Sequence, residues 1–320
     1  MRILVTGAGG FVGPYLVELL VKRDHRVFAL LGPTESPPDS PAENVQYLTA
    51  DIVDPAGVRA AVERAHPDMV YHLAGWSHIG KAINQAPAVY SVNLMGTIHL
   101  YEALREVSPR AKVLFVGTGA SYGPVTPGAP PPDEDEPLHP LEPYAGSKAA
   151  ADMASVQYFR AFALPVVRVR PFNIIGPGQK PSFVCSEWAR RLVRMELGLE
   201  KPLLQVGKLD VERDFTDVRD IAPAFETILC HANPGEVFNL GHGQAVPVGD
   251  ILNTLKDMVN VSVKVVQDPA KLRKVEPARV TGSVTRAKER FDWKPAISLQ
   301  QSLADIVQYW RNVESTERKT

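Results

Sequence analysis

A tyrosine and a lysine four residues apart give this chain its clearest chemical signal. They are Tyr144 and Lys148, in the segment YAGSK. Residues with this spacing lie on one face of an α-helix, so the ammonium would stand beside the phenol. A neighbouring positive charge favours the phenolate, and we therefore expect Lys148 to lower the pKa of Tyr144 toward working pH. Such a pair predicts proton transfer to or from a carbonyl or alcohol oxygen, although the spacing by itself is common.

A glycine-rich segment near the N-terminus predicts a dinucleotide site. Residues 6–13 read TGAGGFVG, between an apolar run and an amphipathic stretch. Strand, glycine turn and helix are the context that a dinucleotide fingerprint requires. We expect Gly7 to permit the turn, Gly10 to let the backbone approach a pyrophosphate, and Gly13 to let the helix pack closely. The alternative is an ordinary strand–helix turn, but the later Tyr/Lys pair favours hydride chemistry.

The composition indicates an ordinary globular protein and excludes several classes of partner. The chain has 320 residues, of which 45% are hydrophobic and 22% charged, enough for one large domain or two modest ones. Lys plus Arg number 35 and Asp plus Glu 36, so nothing predicts a nucleic-acid or membrane partner. We expect no membrane helix, no signal peptide and a cytoplasmic protein. Cys185 and Cys230 fit no disulfide or zinc spacing, and we expect two buried thiols and no metal.

Strand and helix patterns alternate over the first half of the chain. The runs that predict strands are 2–5, 27–31, 45–48, 69–73, 112–116 and 165–170. Helical patterns lie between them, notably at 15–22, 55–65, 88–106 and 144–162. Such alternation predicts an α/β fold with a Rossmann-type doubly wound parallel sheet. Ligands bind outside the carboxyl ends of such strands, where loops 6–13, 51–54, 74–80, 117–123 and 171–181 would meet.

After residue 170 the pattern changes. Helices are predicted at 186–197, 217–230, 247–259 and 299–310, with short β-like segments at 203–206, 236–240 and 263–266. This indicates a smaller α/β substrate-binding lobe that is partly interleaved with the first domain. We predict a dinucleotide-binding Rossmann domain at 1–170, to which 214–240 returns, and a substrate lobe formed by 171–213 and 241–320.

Over essentially its full length, the chain resembles the extended short-chain dehydrogenases/reductases. The matching motifs are TGxxGxxG at 6–13, Asp51-Ile52, HLAG at 72–75 and YxxxK at 144–148. Segments 170–179, 207–220 and 268–276 make it most similar to enzymes of GDP-mannose metabolism, first to GDP-4-keto-6-deoxy-mannose reductases and next to GDP-mannose 4,6-dehydratases. The resemblance implies a GDP-linked sugar substrate and an NADP(H) or NAD(H) cofactor.

The resemblance implies three catalytic residues. Thr118 would hold the sugar C4 oxygen, Tyr144 would exchange the proton of that oxygen, and Lys148 would hold the nicotinamide ribose and depress the pKa of Tyr144. The alternative for Thr118 is a loop hydroxyl that bonds its own backbone.

The resemblance also implies the cofactor-binding residues, with Asp51 at the adenine and the small residues after strand four allowing close approach. The set is Gly7, Gly10, Phe11, Val12, Gly13, Asp51, Ile52, Leu73, Ala74, Gly75, Tyr144 and Lys148. Asp51 would otherwise be a helix N-cap. An acidic residue after strand two is typical of NAD and a basic one of NADP. Residues 30–34 contain neither, so both cofactors stay open.

By resemblance, the nucleotide-sugar is held from the second half of the chain. Asn173 would bind its sugar–phosphate side, and Ser77 would line the sugar pocket. Arg213 and Arg273 would clamp the diphosphate, whose oxygens suit the guanidinium fork, and Glu276 would accept from ribose hydroxyls. The alternative for the arginines is that they form surface salt bridges.

Ala120 bears on the reaction type. A 4,6-dehydratase needs an acid two residues after Thr118, and alanine can neither protonate nor relay a proton there. We therefore predict an NAD(P)H-dependent reductase that converts GDP-4-keto-6-deoxy-mannose to a product of the GDP-rhamnose type. The alternatives are a redox-neutral 4,6-dehydratase or 4-epimerase with tightly bound NAD(P), and a non-catalytic nucleotide-binding regulator. By analogy, helices 88–106 and 144–162 would form a homodimer interface, unless they only cover the sheet.

Overall fold

A seven-stranded parallel sheet forms the centre of the protein. The computed structural model describes residues 1–38, 40, 42–77, 82–126, 128–272 and 275–317. Its strands are β1 Arg2–Thr6, β2 Arg26–Leu31, β3 Val45–Thr49, β4 Met69–His72, β5 Lys112–Val116, β6 Val166–Pro171, β7 Asn173–Ile175, β8 Leu203–Val206, β9 Glu212–Arg213, β10 Phe215–Asp217, β11 Val237–Leu240, β12 Val246–Pro247, β13 Lys264–Gln267 and β14 Arg279–Val280. The central sheet has the order β3-β2-β1-β4-β5-β6-β11, and each of its pairs is parallel.

Helices cover both faces of this sheet. They are α1 Val12–Lys22, α2 Pro55–Ala65, α3 Ala86–Tyr90, α4 Gly96–Val107, α5 Pro143–Phe162, α6 Val184–Glu196, α7 Val218–His231, α8 Val248–Asp257, α9 Thr285–Phe291 and α10 Leu299–Glu317. A π-helical segment, Ser91–Met95, joins α3 to α4, and short 3₁₀ turns lie at Gly119–Tyr122 and Pro269–Lys271. Crossovers by helix between parallel strands produce the doubly wound fold that the sequence predicts, and this prediction is confirmed.

The two faces of the sheet have separate hydrophobic cores because strand side chains alternate. On one face Ile3 and Val5 pack with α1 and α7, and on the other Leu4 packs with α2, α4 and α5. The central strands are buried on both faces, and they therefore read as continuous apolar runs in the sequence.

A third hydrophobic core lies outside the central sheet. It joins α6, α8 and α10 through side chains such as Trp188, Leu252 and Trp310. Segment 214–240 contributes β11 to the central sheet and α7 to its core, while Ala287 of α9, from the segment 241–320, also packs there. The division into a Rossmann domain (1–170 with 214–240) and a substrate lobe (171–213 and 241–320) stays a proposal.

Three local expectations differ from the structure. The helix predicted at 88–106 is interrupted by the π-helical segment, which one extra residue per turn creates. The two-residue and three-residue strands after 170 were not predicted, because they exist only through their tertiary partners. Cys185 is buried as expected, but Cys230 is exposed, since it lies on the outer side of the last turn of α7.

Candidate active site

The glycine loop between β1 and α1 has the geometry of an anion cradle. Gly7 has a φ of +67°, and a Cβ there would lie 2.6 Å from the backbone nitrogen of Ala74. A Cβ on Gly13 would lie 2.3 Å from the Ala8 carbonyl oxygen, so glycine lets α1 approach the strand. The Gly10 amide donates to the Gly7 carbonyl over 3.0 Å and tightens the turn.

The first turn of α1 suits a pyrophosphate. Phe11 occupies the N-cap position without a side-chain hydrogen bond, and the turn that begins at Val12 carries no acidic residue. Its backbone N–H groups therefore point outward with the positive end of the helix dipole behind them. These residues fit the phosphates of the dinucleotide that the sequence predicts. The Phe11 ring also approaches the loop after β7, because a Cβ on Gly176 would lie 3.5 Å from it.

A buried hydrogen-bonded chain links the glycine loop to the end of β4. Thr6 Oγ1 lies 2.8 Å from His72 Nδ1, and His72 Nε2 lies 2.9 Å from Thr97 Oγ1. Because Thr97 donates its hydrogen to the Asn93 carbonyl, it must accept from His72 Nε2–H. Thr6 then donates to Nδ1 and accepts from the Ala74 amide at 3.2 Å. Burial lowers the pKa of His72 to about 3, so this neutral tautomer persists at working pH.

Asn93 is a site residue that the sequence reasoning missed. It is buried in the π-helical segment, accepts from the Trp76 amide at 2.7 Å and donates to Ser147 Oγ at 2.8 Å. A Cβ on Gly75 would lie 2.9 Å from Asn93 Oδ1 and 3.7 Å from Lys148 Nζ. Asn93 thus fixes the loop after β4 against α5. In the sequence, the sign of this role is a polar residue within an otherwise apolar helical stretch, because a polar group that becomes buried there needs a partner. In the structure, the π-helical turn is a second sign, since such turns are frequent at functional sites.

Thr118 and Tyr144 are brought together as the sequence predicts. The Thr118 hydroxyl is near enough to the Tyr144 phenol to lower its pKa, and Thr118 Oγ1 accepts from the Ala120 amide at 3.2 Å. The loop-turn interpretation of Thr118 therefore describes an observed contact, and the catalytic interpretation stays a prediction. Tyr144 lies in the first turn of α5, which Glu142 caps by accepting from the amides of Tyr144 and Ala145 at 2.8 Å each.

The pKa of Tyr144 is raised in this structure, whereas the sequence led us to expect a lowered pKa. Burial is the largest cause of the rise, the Thr118 hydroxyl opposes it, and Glu142 adds to it. Lys148 Nζ instead stands over the Phe115 ring, 4.9 Å from its centre. Burial lowers the pKa of Lys148 to about 8, although Asp152 opposes that shift. Desolvation is the largest cause of the pKa shift for both groups.

Two groups of predicted cofactor residues lie at the same edge of the sheet: those expected at the adenine and those in the loop after β4. Asp51 is exposed and accepts from the Val53 amide at 3.1 Å, whereas Asp54 is the N-cap of α2. Ile52 is buried against Gly96, where a Cβ would lie 2.8 Å from it. The Leu73 amide donates to the Thr6 carbonyl at 3.1 Å and so aligns the two loops.

The predicted substrate residues are less closely grouped. Asn173 donates through its amide side chain to the Asp214 carbonyl at 3.0 Å, which ties β7 to β10. Arg213 and Glu276 form an ion pair of 3.3 Å with side-chain exposures of 11% and 15%, so neither is the surface salt bridge of the alternative interpretation. Ser77 is exposed, and Arg273 lies outside the described residues.

The chain is similar to known proteins along nearly its whole length. A family model described as GDP-mannose 4,6 dehydratase matches residues 4–306. The GDP-6-deoxy-D-mannose reductase of Pseudomonas aeruginosa is 37% identical over 311 residues, which cover 97% of each chain.

Two solved structures extend this similarity to the fold. RMD from Pseudomonas aeruginosa complexed with NADPH has a TM-score of 0.84 at 33% identity and covers 98% of this chain and 100% of its own. The UDP-glucose 4-epimerase of Thermus thermophilus in complex with NAD has a TM-score of 0.87 at 28% identity, over 97% and 99%. Both neighbours therefore contain a nicotinamide dinucleotide.

Proposed function

Because this chain belongs to the GDP-mannose 4,6-dehydratase family, as its resemblance to the extended short-chain dehydrogenases/reductases led us to expect, we propose that it is an NAD(P)H-dependent nucleotide-sugar reductase. Its substrate would be the C4 keto group of a GDP-4-keto-6-deoxy-hexose, and its product would be of the GDP-rhamnose type. The observation that carries this proposal is the proximity of the Thr118 hydroxyl to the buried Tyr144 phenol, with Lys148 one helical turn away.

The protein's own residues account for the proton of this reaction. A bound nicotinamide dinucleotide would supply the hydride. Thr118 and Tyr144 present two hydroxyl groups to one carbonyl oxygen, and Tyr144 gives its proton as the alcohol forms. The raised pKa of Tyr144 suits this direction, because the phenol keeps its proton at neutral pH. The Lys148 ammonium then stabilises the phenolate that remains.

Ala120, two residues after Thr118, supports reduction over dehydration. Ala120 lies in the 3₁₀ turn that Thr118 caps, and its methyl group has no proton to give to a leaving hydroxyl. A 4-epimerase needs no acid at this position, and an epimerase is among the structural neighbours. The two activities differ in one measurable way, since an epimerase regenerates its cofactor in every cycle.

We propose that residues of the substrate lobe hold the nucleotide. The Arg213–Glu276 pair is held from β9 and from the segment before β14, and Arg213 also donates to the carbonyls of Glu212 and Pro277 at 2.8 and 3.0 Å. A fixed guanidinium of this kind suits a diphosphate, and Glu276 suits ribose hydroxyls. Arg273, Asn173 and Ser77 would complete the site.

A homodimer formed by the α3–α4 and α5 helices is also proposed. Tyr90, Met95 and Met153 are exposed at 39%, 42% and 61% along these segments, and together they would offer apolar contacts to a second copy.

The free thiols at Cys185 and Cys230 are compatible with the cytoplasmic compartment that we propose. Within the described residues, no helix is long and apolar enough to span a bilayer.

The test is the stoichiometric loss of reduced-nicotinamide absorbance when the protein is mixed with GDP-4-keto-6-deoxy-mannose. We expect one NAD(P)H consumed per sugar reduced. Tyr144→Phe should lower kcat by about 10²–10⁴-fold, which is the usual contribution of a positioned proton donor. Tyr47→Phe, which removes a phenol from the edge strand β3, should leave kcat unchanged.

Either of two results would overturn the proposal. One is sugar conversion without net cofactor loss, which would indicate the epimerase. The other is a Tyr144→Phe variant that retains turnover within a few-fold of the wild type.

A further inference from the structure

A carboxylate from the loop after β2 stands over the glycine loop. A Cβ built on Gly9 would lie 2.7 Å from the carboxyl carbon of Glu35 and 3.1 Å from its Oε1. Glu35 Oε2 accepts from the Gly32 amide at 2.8 Å, and the Glu35 amide donates to the Gly32 carbonyl at 3.0 Å. This reciprocal turn folds the side chain back toward Gly9 and fixes its direction.

The position of Glu35 relative to the glycine loop defines what it would meet. With the pyrophosphate on the first turn of α1, the adenosine half of a dinucleotide extends toward the end of β2. The Ala8 amide donates to the Leu30 carbonyl at 3.2 Å, so the glycine loop and the end of β2 are directly joined. A carboxylate in this place can accept hydrogen bonds from the ribose hydroxyls of the adenosine.

The charged residues in the three segments that border this place are all acidic. Segments 6–13, 31–38 and 49–54 contain the acids Glu35, Asp51 and Asp54 but no lysine, arginine or histidine, and His99 of α4 reaches the Ile52 carbonyl at 3.3 Å. A phosphate on the ribose 2′ oxygen would lose the hydrogen bond to Glu35 and meet its negative charge instead. No cation in these segments would compensate.

We propose that Glu35 makes this protein select NAD(H) over NADP(H). The inference rests on the dinucleotide binding of the proposed function, and it separates this chain from its relative that was solved with NADPH. Residues 30–34, the end of β2 and the turn after it, contain no such acid, and the determinant is the next residue along the chain. The turn between Gly32 and Glu35 brings it back to the ribose side of the glycine loop.

The experiment is calorimetric titration of the purified protein with NAD⁺ and with NADP⁺, at low and at high salt. We expect the dissociation constant for NAD⁺ to be lower by at least about tenfold at low salt, and the ratio to shrink as salt screens the charges. Glu35→Gln keeps the size and a hydrogen bond to the ribose but removes the charge. This variant should bring the dissociation constants for NAD⁺ and NADP⁺ at least several-fold closer together, mainly by tightening NADP⁺ binding.

Glu43→Gln is the matched control. Glu43 is exposed and precedes β3, so it lies at the amino end of the parallel strands, whereas the glycine loop lies at their carboxyl end. Its loss should leave the ratio of the two dissociation constants unchanged. Tighter binding of NADP⁺ by the wild type, or an unchanged ratio in Glu35→Gln, would overturn the inference.

Sugar turnover is measured separately. If the protein reduces the sugar but prefers NADPH, only the inference fails. If it binds NAD⁺ tightly without reducing the sugar, the inference stands and the proposed reductase fails.

Discussion

Two sets of buried cations lie near one another, and they differ in how they are paired with an anion. Arg168 and Arg170 of β6 share Asp152, with hydrogen bonds of 2.7 to 3.0 Å to its two oxygens. Lys148 lies one turn before Asp152 on the same helix, yet it stands over the Phe115 ring. All four charged residues are at most 9% exposed.

The pKa values follow this division. Burial would raise the pKa of Asp152, but hydrogen bonds and charges from Arg170 and Arg168 hold it below its ordinary value. Burial lowers the pKa of Lys148 to about 8, and the nearby Asp152 does not restore it. The arginine cluster is thus a satisfied structural network, whereas Lys148 is a buried ammonium without a comparable ion pair. Desolvation without full pairing is typical of functional cations, and it supports the catalytic role that we propose for Lys148.

Asp152→Asn tests the structural side and has the largest expected effect on stability. It leaves two buried guanidinium groups without their anion, and we expect the free energy of unfolding to fall by about 3–5 kcal/mol. The measurement is urea denaturation at neutral pH, read as a lower midpoint at an unchanged m-value.

Glu63→Gln serves as the control for that experiment. Glu63 pairs with Arg59 at 2.9 Å on the surface of α2, where both side chains are half exposed. Its loss should not measurably change the midpoint. A midpoint for Asp152→Asn equal to that of the control would mean that the network does not stabilise the fold.

Lys148→Met tests the role that we propose for the lysine. It should raise the free energy of unfolding, whereas Asp152→Asn should lower it. Removing an unpaired buried ammonium should raise the free energy of unfolding at pH 7 by about 2 kcal/mol, while turnover is lost. The ammonium costs stability below its folded pKa of about 8, and this cost vanishes as pH rises to the ordinary value of 10.5. The stability gain should therefore disappear near that pH.

Arg170→Met is the matched comparison, because it makes the same kind of substitution in the satisfied network. It leaves Asp152 with only Arg168, and it should destabilise the protein. If both methionine variants moved stability in the same direction, the distinction between the two sets of cations would collapse.

The sequence was sufficient for the parts of the site that depend on short-range patterns. The apolar runs of β1, β2, β4, β5 and β6 are buried on both faces, and the glycine spacing at 6–13 follows from backbone geometry. The spacing of Tyr144 and Lys148 also placed both on α5. These features are determined within a few residues, which is why pattern reasoning finds them.

The remainder depends on contacts between distant segments. The direction of the Tyr144 pKa shift differs from the expectation because burial, which no local pattern gives, is its largest cause. The insertion of Asn93 between Trp76 and Ser147 requires three separate segments. Glu35 lies one residue beyond the stretch in which the sequence pattern sought an acid, and only the turn with Gly32 brings it back.

The pH dependence of turnover gives the smallest and sharpest test of the comparison. If the Lys148 ammonium stabilises the phenolate, kcat/KM for reduction should be flat near pH 7 and fall toward a tenfold loss per pH unit above about 8, where Lys148 becomes neutral. The raised pKa of Tyr144 and the pKa of about 3 for His72 place both titrations outside this window. Lys148→Arg, which stays charged throughout, should lose the descending limb even if its rate is lower. A limb that persists in this variant would assign the titration to another group and remove the functional role of the unpaired lysine.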